Sequence, residues 1–103
     1  MSVIVVATIT PAEGQYQAVL DAFTGIIPAV HEEEGCELYA AHTDGSVIIM
    51  VERWTSAELL AAHADGENLV KLNAVIGDLL ATPTVVKALQ NVPAGDPAKG
   101  SIQ

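Results

Sequence analysis

Val47-Ile48-Ile49-Met50-Val51-Glu52-Arg53-Trp54-Thr55-Ser56-Ala57-Glu58-Leu59-Leu60-Ala61-Ala62-His63 changes character partway along. Up to Trp54 it is β-branched and apolar, the composition of a buried strand. Thr55 to Glu58 then has the form of a capping box, a hydroxyl and a glutamate three residues apart. Trp54 before the box and Leu59 after it are placed to staple the helix entry. Leu59, Leu60 and His63 share one face of the short helix that follows. A strand thus ends in glutamate, arginine and tryptophan, and the next helix carries a histidine.

Upstream, residues 36 to 43 read as a second strand, joined to 46 to 54 by Asp44-Gly45. Asp-Gly between two such runs predicts a two-residue hairpin turn. That register sets Thr43 opposite Ser46, Ala41 opposite Ile48, Tyr39 opposite Met50, and Glu37 opposite Glu52. Further upstream, Val3 to Thr10 is β-branched and apolar on both faces, as in a central strand. Residues 12 to 33 read as a helix with Thr10 as N-cap, Pro11 at the first position and Gly35 as C-cap. Tyr16, Leu20, Phe23, Ile27 and Val30 form its apolar stripe. His31-Glu32-Glu33-Glu34 reads as a solvated end, although three carboxylates at a helix C-terminus oppose the helix dipole. Downstream, Asp65-Gly66 breaks the chain before a helix from Glu67 to about Ala81. Its inner face carries Leu69, Leu72, Ile76, Leu79 and Leu80. Thr84 to Val92 reads as a last strand.

The order β-α-β-β-α-α-β, a hairpin between two crossovers, predicts a ferredoxin-like α+β fold with a four-stranded antiparallel sheet. Residues 1–92 make the domain. Residues 93–103 have no periodicity and read as a flexible tail, or an arm that orders on a partner subunit. Helices can cover only one face of such a sheet, so its apolar second face predicts a homodimer.

Composition narrows the function. Half of the 103 residues are hydrophobic, and the net charge is −9 with four Lys and Arg. That balance argues against nucleic acid or an anionic membrane as partner, since no basic patch exists to neutralise phosphates. No apolar run approaches the roughly 20 residues that span a bilayer. No basic segment precedes an apolar one, so the expected location is cytoplasmic. Cys36 is the single cysteine, which excludes an internal disulfide and a multi-cysteine metal site. No glycine-rich phosphate loop or nucleophile elbow is present.

Val5-Val6-Ala7-Thr8-Ile9-Thr10-Pro11, Gly35-Cys36-Glu37-Leu38-Tyr39, Glu52-Arg53-Trp54-Thr55-Ser56, Leu59 and Ala62-His63, in this order, resemble the antibiotic biosynthesis monooxygenase domain. The resemblance covers residue 3 to about residue 92. It implies a dimeric α+β barrel and cofactor-independent oxidation of quinols or hydroxylated polycyclic aromatics by molecular oxygen, in a pocket between sheet and helices. The family also contains haem-degrading members. By spacing, their axial histidine falls at Asn73 and their pocket asparagine at Ala7, which argues against that branch here.

Cofactor-free oxygenation needs a base, a hydrogen-bond donor for the developing oxyanion, and dry apolar walls. His63 is the candidate base, imidazole being the side chain that titrates near neutrality. Trp54 is a candidate donor through its indole N–H and a stacking surface. Tyr39 is a candidate donor or proton relay. Phe23, Ile27, Met50, Leu60, Leu72 and Asn73 are the candidate substrate-binding walls. Glu52 is expected to be a structural anchor, paired with Arg53 of a neighbouring strand or subunit or accepting from backbone donors. No metal or organic cofactor is expected. The competing reading is a dimeric small-molecule-binding or stress-response protein without turnover, in which His63, Trp54 and Tyr39 are packed core residues.

Overall fold

The structure, a computed structural model, describes residues 2–102. Met1 and Gln103, the outer ends of the two expected segments, lie outside the described residues. Eight elements follow one another: β1 (Val3–Ile9), α1 (Tyr16–His31), β2 (Cys36–Thr43), β3 (Ile48–Trp54), α2 (Ala57–Ala64), α3 (Glu67–Ile76), a 3-10 turn (Gly77–Leu79) and β4 (Val85–Leu89). The strands form one antiparallel sheet in the order β2-β3-β1-β4, the ferredoxin-like arrangement. No helix is long and apolar enough to cross a membrane among the described residues.

Strand alternation places the core. Val5, Ala7 and Ile9 of β1 lie beside Glu52, Met50 and Ile48 of β3, and all six are buried against the helices. Val19, Phe23 and Val30 of α1 and Leu72 and Ile76 of α3 close the layer from above. The opposite face carries Val6, Ile49 and Val51, each half-buried.

Several local expectations shift. The hairpin loop spans four residues, because Thr43 pairs with Ile48, Ala41 with Met50 and Tyr39 with Glu52. Side chains favour the longer loop over the two-residue turn. The Asp44 carboxylate accepts from the Ser46 and Val47 amides at 2.8 and 3.0 Å. The Thr43 hydroxyl accepts from the Gly45 amide and donates to the Val47 carbonyl. The slip is by two residues, so Tyr39 and Met50 keep their face. A bulge between Cys36 and Leu38 then turns Glu37 away from Glu52. Glu37 instead meets Arg53 Nε at 2.9 Å and the Ser2 hydroxyl at 2.7 Å.

Helix ends move as well. α1 starts at Tyr16, since Gly14 has φ +80° and Pro11 is drawn into a bridge with Leu80. The helix then runs unbroken past Pro28. The N-cap of α2 is Ser56, whose hydroxyl accepts from Leu59 N at 3.2 Å. Thr55, the expected cap, donates instead to the Gly35 carbonyl and to Glu37. Gly35 is not the cap of α1, which ends at His31 with Glu32 as its C-cap. It has φ +87°, and a Cβ there would lie 2.7 Å from Leu59 atoms, so both turn and helix contact require glycine. After β4 the chain folds back, and the Asn91 side-chain amide exchanges two hydrogen bonds with Ile102 at 3.1 Å.

Candidate active site

Between the sheet and the helical layer lies a cavity of about 200 Å³. Its floor is Val5, Ala7 and Ile9 of β1 with Met50 and Glu52 of β3. Tyr39 stands at one side. Phe23, Leu60, His63, Leu69, Leu72, Asn73 and Ile76 descend from the helices, and Thr84 and Val86 form the rim at β4. The walls are mostly apolar, with polar atoms from Tyr39, Glu52, His63, Asn73 and Thr84.

His63 is placed by α2. Ser56 fixes where that helix begins, and two turns later the imidazole points into the core, 6 % exposed. It lies flat on Trp54, with ring centroids 4.3 Å apart and planes at 29°. Tyr39 meets the pair edge-on, 5.4 Å from the imidazole and 6.4 Å from the indole. These aromatic contacts restrict rotation of the imidazole.

Each ring nitrogen faces a carboxylate. Nδ1 lies 2.9 Å from Glu33 Oε1, and the second Glu33 oxygen accepts from Asn68 Nδ2 at 2.8 Å. Nε2 lies 4.0 Å from Glu52 Oε1, which also accepts the Trp54 indole N–H at 2.9 Å. Burial raises the Glu52 carboxyl above its ordinary range, and the Glu33 charge adds to the rise. Donation from Trp54 opposes it, as would a protonated His63. Burial also pushes the Tyr39 phenol far up, with Glu52 and Glu33 adding to the rise, so Tyr39 remains a neutral donor. Cys36 is half-buried and its thiol is likewise raised, first by burial, so it is a poor nucleophile.

The sequence-predicted residues therefore divide. Tyr39, Phe23, Met50, Leu60, His63, Leu72 and Asn73 line one cavity. Ile27 is half-buried in the core outside that lining. Trp54 is fully buried beneath His63, and its indole N–H is committed to Glu52, so it has no donor to offer a ligand. Glu52 lines the cavity, and among the described residues of this chain its carboxylate meets the Trp54 indole and His63, with Arg53 paired to Glu37. Glu33, expected on a solvated acidic end, holds the imidazole instead. The one signal for it was the unexplained set of carboxylates after α1. Nothing local in the sequence points to Asn68, Thr84 or Val86. His31, also expected on a solvated face, is exposed but ties its Nε2 to the Tyr39 carbonyl at 3.0 Å. Among the described residues, no group of three His, Cys, Asp or Glu is placed to hold a metal ion.

An antiparallel sheet under three helices, with an apolar cavity and a buried imidazole between the layers, defines a ferredoxin-like α+β domain. The chain belongs to the antibiotic biosynthesis monooxygenase family, whose profile matches residues 2–74. It is 40% identical to the probable quinol monooxygenase YgiN of Escherichia coli K12, over 50% of this chain and 62% of that protein. The match thus spans less than two thirds of that relative. The fold is shared with Rv0793 from Mycobacterium tuberculosis, at TM-score 0.83 and 24% identity, covering 93% of this chain and all of that one. PA3566 from Pseudomonas aeruginosa shares it at TM-score 0.81 and 23% identity, covering 88% and 94%.

Proposed function

We propose that this protein is a cofactor-independent monooxygenase that oxidises a quinol or hydroxylated aromatic in the cavity between sheet and helices. The observation that carries this reading is the buried His63 imidazole, held at Nδ1 and turned at Nε2 toward an apolar enclosure. Family membership and the likeness to a probable quinol monooxygenase support it. His63 takes the substrate hydroxyl proton at Nε2. Tyr39 donates to the oxygen on which charge develops. The electron-rich anion then passes an electron to molecular oxygen, and the resulting radicals combine to form a carbon–oxygen bond. Loss of water from the hydroperoxide leaves one oxygen atom in the product and the other in water. The substrate supplies all the electrons, so quinol plus oxygen gives hydroxyquinone plus water.

Size favours the smaller substrates. A cavity of about 150 Å³ accepts benzene, so the present one suits one or two fused rings, and larger polycycles would extend past Val86. We also propose that the protein works as a homodimer through the sheet face bearing Val6, Ile49 and Val51, half-buried apolar residues with no helix over them. Light scattering that finds only monomer at micromolar concentration would refute the dimer.

An oxygen electrode with a panel of hydroquinones and anthrones tests the activity. Uptake should exceed autoxidation and fall about 10²- to 10⁴-fold in His63→Ala. Uptake no faster than autoxidation across the panel, or unaltered in the variant, would sink the assignment. Ligands that raise Tm yet emerge chemically unchanged would favour the binding protein without turnover.

A further inference from the structure

We propose that Glu33, itself braced by Asn68, is the positioning residue that holds His63 as the Nδ1–H tautomer and so leaves the Nε2 lone pair for the cavity. The inference rests on the reading of His63 as the base, but the tautomer can be observed without any turnover.

His63 borders two spaces. Its Nε2 side meets the cavity and Glu52, while its Nδ1 side meets Glu33 in an outer cleft between α1, α2 and α3 that also contains Asn68 and Glu67. A neutral imidazole has one N–H and one lone pair. A carboxylate 2.9 Å from Nδ1 can only accept, so a neutral His63 carries its proton on Nδ1 and its lone pair on Nε2. Glu33 reaches this place because α1 stops at His31 and the next residues form a tight turn, with Cys36 N bonded to the Glu33 carbonyl. Asn68, near the start of α3, occupies the other carboxylate oxygen at 2.8 Å. Three elements thus converge on one ring nitrogen, and the side chain doing so is only half-buried.

This arrangement explains why one of the three carboxylates, Glu33, follows α1 despite the helix dipole. Glu33 meets a donor on α2 and a donor on α3, so its charge is used across the turn. A glutamine at the same place behaves differently. With Asn68 held in its present orientation, Nδ2 donating to one side-chain position, the glutamine carbonyl takes that position. Its amide N–H then faces Nδ1, which must become the acceptor, and the proton moves to Nε2.

Imidazole nitrogen NMR on the full-length protein, with oxygen uptake in parallel, tests the proposal. Wild-type His63 should show Nδ1–H. Glu33→Gln should show Nε2–H, with kcat reduced about 10³- to 10⁴-fold, the scale of a wrong-tautomer catalytic histidine, and KM nearly unchanged. Asn68→Ala should retain the wild-type tautomer with a loss of about tenfold or less. Wild-type protein carrying Nε2–H would overturn the proposal with no variant needed, whether or not Glu33→Gln folds. A flipped tautomer with kcat kept within a few fold would overturn it too. If no quinol is oxidised by the wild type, the proposed function fails, while the NMR result still decides whether Glu33 sets the tautomer.

Discussion

Ala7 of β1 has a neighbour on each side, Met50 of β3 and Val86 of β4. Both neighbours line the same cavity. Met50 is 1% exposed and Val86 is 61% exposed. One side of the central strand is roofed by helices; the other is an open edge. The contrast extends along both strands, since β3 alternates buried and half-buried residues while every residue of β4 is exposed. Chemistry-bearing groups collect on the roofed side, where Glu52, Trp54 and His63 are shielded from water. The open side supplies Thr84 and Val86 and reads as the mouth. An enclosure needs both: a dry end where charge interactions are strong, and a wet end through which a ligand passes.

The largest expected break in this contrast is Trp54→Ala. It removes the surface under His63 and a buried indole, and should cost about 3–5 kcal/mol in urea denaturation. A loss under about 1 kcal/mol would mean that the imidazole does not depend on that packing. Next comes a matched pair. Met50→Ala should cost about 2–5 kcal/mol, and Val86→Ala about 0.5 kcal/mol or less. Equal costs would erase the distinction, and a large cost at Val86 would indicate that a second subunit covers β4.

The smallest effect concerns Glu52 and depends on pH. Its carboxyl is raised in the folded state, chiefly by burial. The folded protein therefore binds more protons than the unfolded chain between the ordinary value, 4.5, and the raised one. Stability should be fully present below that window and decline as pH rises through it. Glu52→Gln keeps an acceptor for the Trp54 indole and removes the ionisation. Its Tm should exceed the wild-type value at about pH 8, and the difference should vanish near pH 4. A lower Tm at pH 8 would show that the charged form is the one the site favours.

Long patterns in the sequence carried the architecture. The strand and helix order, the antiparallel sheet and the inner faces of α1 and α3 followed from periodicity. Asp44-Gly45 marked the hairpin but not its register, because Thr43 and Asp44 side chains compete with the two-residue turn. The capping signal located α2 but chose Thr55 over Ser56, one residue away. In the site, His63 and Tyr39 were legible from their patterns. Trp54 was legible as a staple-like aromatic, yet the destination of its N–H was not.

What the sequence determined by itself is therefore the local and the periodic. Side-chain alternation and helical spacing state which face of each element is apolar, and that is enough to stack the layers. Tertiary structure alone decided that Glu33, thirty residues before His63 and two past a helix end, would share a proton with its imidazole. It also decided that the Trp54 indole N–H would go to Glu52. Hydrogen bonds between distant side chains depend on how three helices settle on a sheet. No period or spacing records that geometry, because it is fixed only when the layers close and buried polar atoms must find partners.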